Sequence, residues 1–214
     1  MQPSTSSTLR DLLTAAAAGR FPPDDGSVTV LPQPSIRVAG VIAFTGCSVV
    51  FADVDHHWVR DQVPADDLSA TLNPPFLHAL ERRLDRRVNN IDLLTVAGSL
   101  SGEPPIDLVE TTERSHPRIV RGAGLRDDVR AWTTNGGLLT LGRGVAGRWE
   151  LALEVEPSAQ GRGLGRRLAT AARHLVPAGE PLWAQVAPGN ARSVRALLAA
   201  GYLPVGAEAL LVSS

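Results

Sequence analysis

The sequence contains no lysine; all 21 of its basic residues are arginine. That excludes a P-loop NTPase, whose Gly-Lys-Ser/Thr motif requires the amine, and it excludes acetylation of the protein's own lysines. A G+C-rich genome, whose codons favour Arg, Ala, Gly and Pro, is reason enough for the bias. Cysteine occurs once, at Cys47, so neither an internal disulfide nor a cysteine-based zinc site can form. Tyrosine also occurs once, at Tyr202. No run approaches the roughly 20 apolar residues that span a bilayer. The N-terminus lacks the basic start of a signal peptide, and "LRDLLTAAAAGR" puts charges where its apolar region would lie. A soluble cytoplasmic protein with no membrane partner is the expectation.

What is present suits a globular chain. Its 214 residues are 43% hydrophobic, enough for one large domain or two small ones. Residues 1–104 carry 8 arginines and 12 acidic residues, a net of −4; residues 105–214 carry 13 and 10, a net of +3. The balance is too weak and too mixed for a nucleic-acid protein, which needs a clustered basic face. The C-terminal half is the better host for an anion.

In the first half, residues 6–19 read as a helix with Ser6 or Ser7 as N-cap and Gly19 as stop. Residues 27–31, "IRVAGVIAF" and "SVVFADV" read as strands, Asp55 as the cap of a helix over 56–63, and Pro74 to Arg87 as a further helix. "IDLLTVAG" is a strand, and "SGEPP" at 101–105 is the candidate linker between domains 1–104 and 105–214. The second half reads β-α-β-β-β-α-β-α-β. Asn135-Gly136 marks a hairpin and "RWELALEVE" alternates as a half-buried strand. That is a mixed sheet with helices, an α/β (α+β) class without regular βαβ alternation.

Two glycine motifs compete for an anion. "GRGVAG" at 142–147 fits G-x-G-x-x-G, but a strand follows it, so no helix N-terminus faces the loop and a hairpin turn is the better reading. "QGRGLG" at 160–165 lies between a strand and a helix. The first N–H groups of a helix lack intrahelical partners, and the dipole favours negative charge there. Arg162, Arg166 and Arg167 work against that dipole unless an anion sits among them.

"LEVEPSAQGRGLGRRLATAA" resembles the acetyl-CoA-binding motif of the GNAT superfamily of N-acetyltransferases, Gln/Arg-x-x-Gly-x-Gly/Ala between a strand and a helix. Gln160, Gly163 and Gly165 match it. "NARSVRALLAAGYLPVG" resembles the same family's second cofactor segment, an Asn opening a helix with Gly-aromatic further on, here Asn190, Gly201 and Tyr202. The resemblance covers about residues 105–214. It implies a mostly antiparallel sheet with a splayed cofactor cleft, and an N-terminal α/β module that shapes the acceptor site. It also implies acetyl-CoA as co-substrate, with its pyrophosphate on the N–H groups of Gly161, Arg162, Gly163, Leu164, Gly165 and Arg166. The pantetheine arm would lie against the backbone of Leu153 and Val155 and near Asn190. An N–H near Leu153 or Glu154 would polarise the carbonyl attacked by the acceptor amine.

Acid–base chemistry departs from the family pattern. Leu197 stands where many members carry a tyrosine that protonates the departing thiolate, and Tyr202 fills the core-aromatic position. Ser193 is the nearest hydroxyl. Glu150 and Glu154, on one face of a strand by alternation, are the candidate bases, the alternative being a solvated strand face; a base here needs a pKa near 7. His116 and His174 are weaker candidates. Asp53, Asp55, His56 and His57 have metal-capable side chains, but Asp55 is explained as an N-cap and no metal is expected. The acceptor is a small-molecule or peptide amine, and the protein is a monomer or homodimer. A catalytically silent acyl-CoA-binding module is the rival reading.

Overall fold

The computed structural model describes residues 8–64 and 67–213. The chain forms two compact units, one drawn from residues up to Asp92 and from Gly206 onward, the other spanning Leu93–Val205. The elements in chain order begin with α1 (Leu9–Ala17), β1 (Val28–Leu31), β2 (Val38–Phe44), β3 (Cys47–Phe51), α2 (His56–Gln62), α3 (Pro74–Leu84) and β4 (Arg87–Gly98). They continue with β5 (Val109–Thr111), α4 (Pro117–Leu125), β6 (Asp127–Thr134), β7 (Gly137–Arg143) and β8 (Trp149–Val155). The last are α5 (Leu164–Ala172), β9 (Pro181–Val186), α6 (Ala191–Ala199) and β10 (Leu203–Val212). From β5 onward this is the order expected from the sequence, a mixed and mostly antiparallel α/β arrangement.

In the first unit, β3 pairs parallel with β1 and antiparallel with β2, and β2 pairs antiparallel with Ala207–Val212 of β10. The helix cap at the start is Thr8: its hydroxyl accepts from the Asp11 N–H, and the Asp11 carboxylate accepts from the Thr8 N–H. The expected caps Ser6 and Ser7 lie outside the described residues. Asp55 caps α2 as expected, accepting from the N–H groups of His57 and Trp58. Phe76, Leu77 and Leu80 of α3 bury against Val41, Val50 and Leu211. This helix stops at Leu84 rather than Arg87 because Asp85 takes a left-handed φ of 52°. The turn brings Arg86 inward, where its guanidinium donates to the carbonyls of Arg37 and Leu211.

In the second unit, Leu93–Gly98 of β4 pairs antiparallel with β9, and β9 pairs parallel with β8. Antiparallel β7, β6 and β5 follow. The core is one cluster: Leu139, Leu141 and Leu151 from the sheet, Leu168 and Ala172 from α5, Leu197 from α6, and Tyr202. Each fully buried leucine contributes about 1.5–3 kcal/mol.

The division between the units corrects the expected boundary at 104/105. It falls at Asp92/Leu93 because residues 93–98 supply the strand beside β9. "SGEPP" is therefore a loop within the second unit. The backbone around it is fastened: Leu100 N–H donates to the Arg173 carbonyl, and Ser99 Oγ accepts from the Gly179 N–H. No helix among the described residues is long and apolar enough to cross a membrane.

Candidate functional site

β8 is paired along its whole length with β7, from Arg143↔Trp149 to Gly137↔Val155. Its parallel pairing with β9 is much shorter. It runs Trp149↔Leu182, Glu150↔Trp183, Leu151↔Ala184 and stops, although both strands continue. Exposure changes at the same place: Glu150 and Leu151 are buried, whereas Ala152 through Val155 are half-buried. The two strands part at Leu151, which opens a cleft along the last residues of β8.

The glycine loop lies at the end of that strand. A single 3-10 turn, Pro157–Ala159, leads into it, and Gly161 and Gly163 take φ of 76° and 75°, with Gly163 at the N-cap of α5. These left-handed values require glycine or cost strain. The N–H groups from Gly161 to Arg166 have no backbone acceptor among the described residues. A run of such donors at the head of a nine-residue helix has the geometry that suits an anion. A Cβ on Gly161 or Gly163 would meet nothing within 4 Å, so the loop is open on that side. Gly165 differs. Its Cβ would face Ala196 at 3.7 Å and Val155 at 3.8 Å, so this glycine serves the packing of α5 against α6 and β8. Arg162, Arg166 and Arg167 are exposed and make no ion pair among the described residues. Leu164 turns inward and is buried.

Gln160 spans the cleft's end. Its amide donates to the Val155 carbonyl at 3.3 Å, and its oxygen accepts from Arg192 at the start of α6 at 3.0 Å. Asn190 caps α6 as expected, its Oδ1 accepting from the Ser193 N–H at 3.2 Å, which leaves its NH₂ unspent. Leu153 lies half-buried on the α5 side of β8, and Ser193 is half-buried on the first turn of α6.

The two candidate bases part company. Glu150 is 3% exposed, and its carboxylate accepts from Arg126 Nε and Arg148 Nε, both at 2.8 Å, and from the Val145 N–H. Burial pushes its pKa up, but the guanidinium groups of Arg148 and Arg126 outweigh burial and hold it at about 2. That is a structural ion cluster, and a carboxylate held at about 2 among buried arginines does not suit the role of base expected of Glu150. Glu154 is 44% exposed and paired with Arg118 of α4 at 2.8 Å; this hydrogen bond lowers its pKa. On the face that holds both glutamates, Glu150 is buried under Arg126 and Arg148, whereas Glu154 stays part exposed beside Arg118. No local pattern marks Arg118, Arg126 or Arg148, because each is placed by long-range packing or by burial.

The same cluster explains the decoy motif. A Cβ on Gly144 would lie 2.2–2.4 Å from the carboxylate atoms of Glu150, so this glycine leaves room for a buried acid. Tyr202 is fully buried, its hydroxyl donating to the Ala169 carbonyl, and burial pushes the phenol pKa up. Leu197 is 5% exposed in the core. His116 caps α4 through Nδ1, and His174 lies beside the Gly102 carbonyl. The described residues hold no group of three or more His, Cys, Asp or Glu placed to bind a metal.

The parallel pair β8–β9 thus parts beside a strand–glycine loop–helix unit. Residues 150–206 match the family model described as FR47-like protein. Among solved structures the chain is similar to a GCN5-related N-acetyltransferase from Kribbella flavida, with 17% identity and a TM-score of 0.39 over 65% of this chain and 64% of that one. It is also similar to a GNAT-family protein from Novosphingobium aromaticivorans, with 17% identity and a TM-score of 0.37 over 60% and 68%. The chain thus spans less than two thirds of the Kribbella protein's length. No curated protein matches the sequence.

Proposed function

We propose that the chain is an N-acyltransferase that moves an acyl group, acetyl in the simplest case, from acyl-CoA to an amine acceptor. The observation that carries this reading is the parting of β8 from β9 at Leu151, on a strand that ends at a loop of unspent N–H donors. The donor set fits the thioester cofactor. The N–H groups of Gly161 to Arg166 would hold its pyrophosphate, with Arg162 and Arg166 at hand as cations. The freed edge of β8 at Leu153 and Val155 would take the amides of its pantetheine arm, together with the Asn190 NH₂. When bound, acetyl-CoA supplies an activated carbonyl: the amine nitrogen forms the new C–N bond as the C–S bond breaks, and the pair leaves with the thiolate.

The chain's own residues would do three things. A β8 N–H near Leu153 or Glu154 would polarise the carbonyl, a role worth about 3–4 kcal/mol. Glu154, held ionised by Arg118, would attract the ammonium form of the acceptor and take its proton through water as a base weaker than one tuned near pH 7. Ser193 would be the hydroxyl on α6 nearest in sequence to the family's acid position. Cytoplasmic residence and a monomeric or homodimeric state accompany this reading.

One observation favours a second reading, an acyl-CoA-binding module without turnover: Leu197 and Tyr202 are both core residues, so neither position offers a thiol-protonating acid. The test is thermal shift with acetyl-CoA, free coenzyme A, longer acyl-CoAs and NAD(H), followed by thiol release with an amine panel. A ligand at 100 times its Kd adds about 2.7 kcal/mol of stability. A shift with the CoA series alone supports the site, and thiol release separates enzyme from silent binder. No shift with any CoA would refute both readings.

A further inference from the structure

The first unit contains a cavity of about 460 Å³, within the range of small-molecule sites. It lies outside the acyl-CoA reading and does not depend on it. Val28, Val59, Val63 and Leu68 form its apolar wall, and Leu68 is 60% exposed at its rim.

The polar groups facing the cavity are unevenly spent. Ser48 and Thr71, 3% and 2% exposed, bond each other at 2.8 Å. Whichever hydroxyl donates, the other keeps an O–H with no acceptor among the described residues, an expensive condition for a buried group. Cys47 is also among the lining residues. Arg60 and His56 also line the cavity, and neither side chain has a hydrogen-bond partner among the described residues. The facing carboxylate, Asp67, is engaged: it accepts from the N–H and hydroxyl of Ser69 and from the Asn73 amide. Among the described lining residues, Arg60 carries a permanent charge with no carboxylate paired to it, whereas Asp67 already has its donors.

From this imbalance we infer that the first unit binds a small monocarboxylate with an apolar body. Arg60 recognises the carboxylate, for which its planar fork is suited; the Ser48–Thr71 pair supplies a buried donor, and the valine wall takes the apolar part.

The test uses the full chain and hexanoate, with hexylamine as the control of opposite charge. Methyl NMR should show saturable shifts at Val28, Val59 and Val63 with hexanoate and none with hexylamine. Arg60→Gln, on an exposed helix face, should weaken hexanoate at least tenfold while leaving the free-state spectrum intact. Leu68→Trp, on the rim, should fill the cavity and abolish binding. The proposal is overturned if hexanoate produces no saturable shift, if hexylamine moves the same methyls as strongly, or if Arg60→Gln binds hexanoate unchanged.

Discussion

Replacing Glu150 by glutamine tests whether this residue belongs to the scaffold or to the chemistry. The substitution keeps the shape and removes the charge that compensates Arg148 and Arg126, whose side chains are 4% and 12% exposed. Breaking a buried pair in this way costs about 3–5 kcal/mol. The pKa leads to a similar figure: a carboxyl at 4.5 in the unfolded chain and about 2 in the fold stabilises the fold by about 3 kcal/mol. Because the folded value is the lower one, that contribution is complete above about pH 4.5 and is lost as pH falls towards 2. At 2–4 °C per kcal/mol for a chain of this size, Tm should drop by about 6–12 °C at pH 7. Urea unfolding followed by tryptophan fluorescence is well placed to see this, since Trp132, Trp149 and Trp183 all lie in the second unit and Arg148 sits 5.2 Å from the Trp183 ring. The gap between wild type and variant should narrow steadily below pH 4. A variant within about 0.5 kcal/mol of wild type at pH 7 that has nevertheless lost acyl transfer would refute the structural assignment and restore Glu150 as a base.

Gly144→Ala forces a Cβ into the same carboxylate and should cost about 1–3 kcal/mol, read by the same urea titration; a neutral effect would mean that the Glu150 side chain has room to move. Gly163→Val places a branched side chain at φ 75° in open space, so it should fold with a loss of about 1–2 kcal/mol yet abolish the CoA-induced thermal shift; retained binding would remove the loop from the site. Arg118→Gln should change stability by less than about 1 kcal/mol, because the pair is part exposed. It should also move the acidic limb of the pH–rate profile to higher pH as Glu154 loses the partner that lowers its pKa; an unmoved profile would exclude Glu154 as the base.

The order of elements from β5 to β10 was legible because each carries its own signal. Alternation marks β8, Asn-Gly marks the β6–β7 turn, and Asn190 marks the start of α6. The glycine loop was legible for the same reason, since its strand–loop–helix context is local. The unit boundary was not, because pairing partners decide it: β9 takes residues 93–98 as its neighbour, and nothing in "IDLLTVAG" says which strand it will join. The fate of the two glutamates was hidden for a related reason. Alternation put Glu150 and Glu154 on one face, but their difference comes from α4 and from arginines that only the folded chain brings to them.

The first unit is discontinuous, and this has a consequence for synthesis. Leu93–Val205 is a contiguous stretch that leaves the ribosome whole, whereas β2 must wait for Ala207–Val212 to complete its second ladder. The segment made first therefore finishes folding last, with Val38–Phe44 holding an unpaired apolar edge for most of translation.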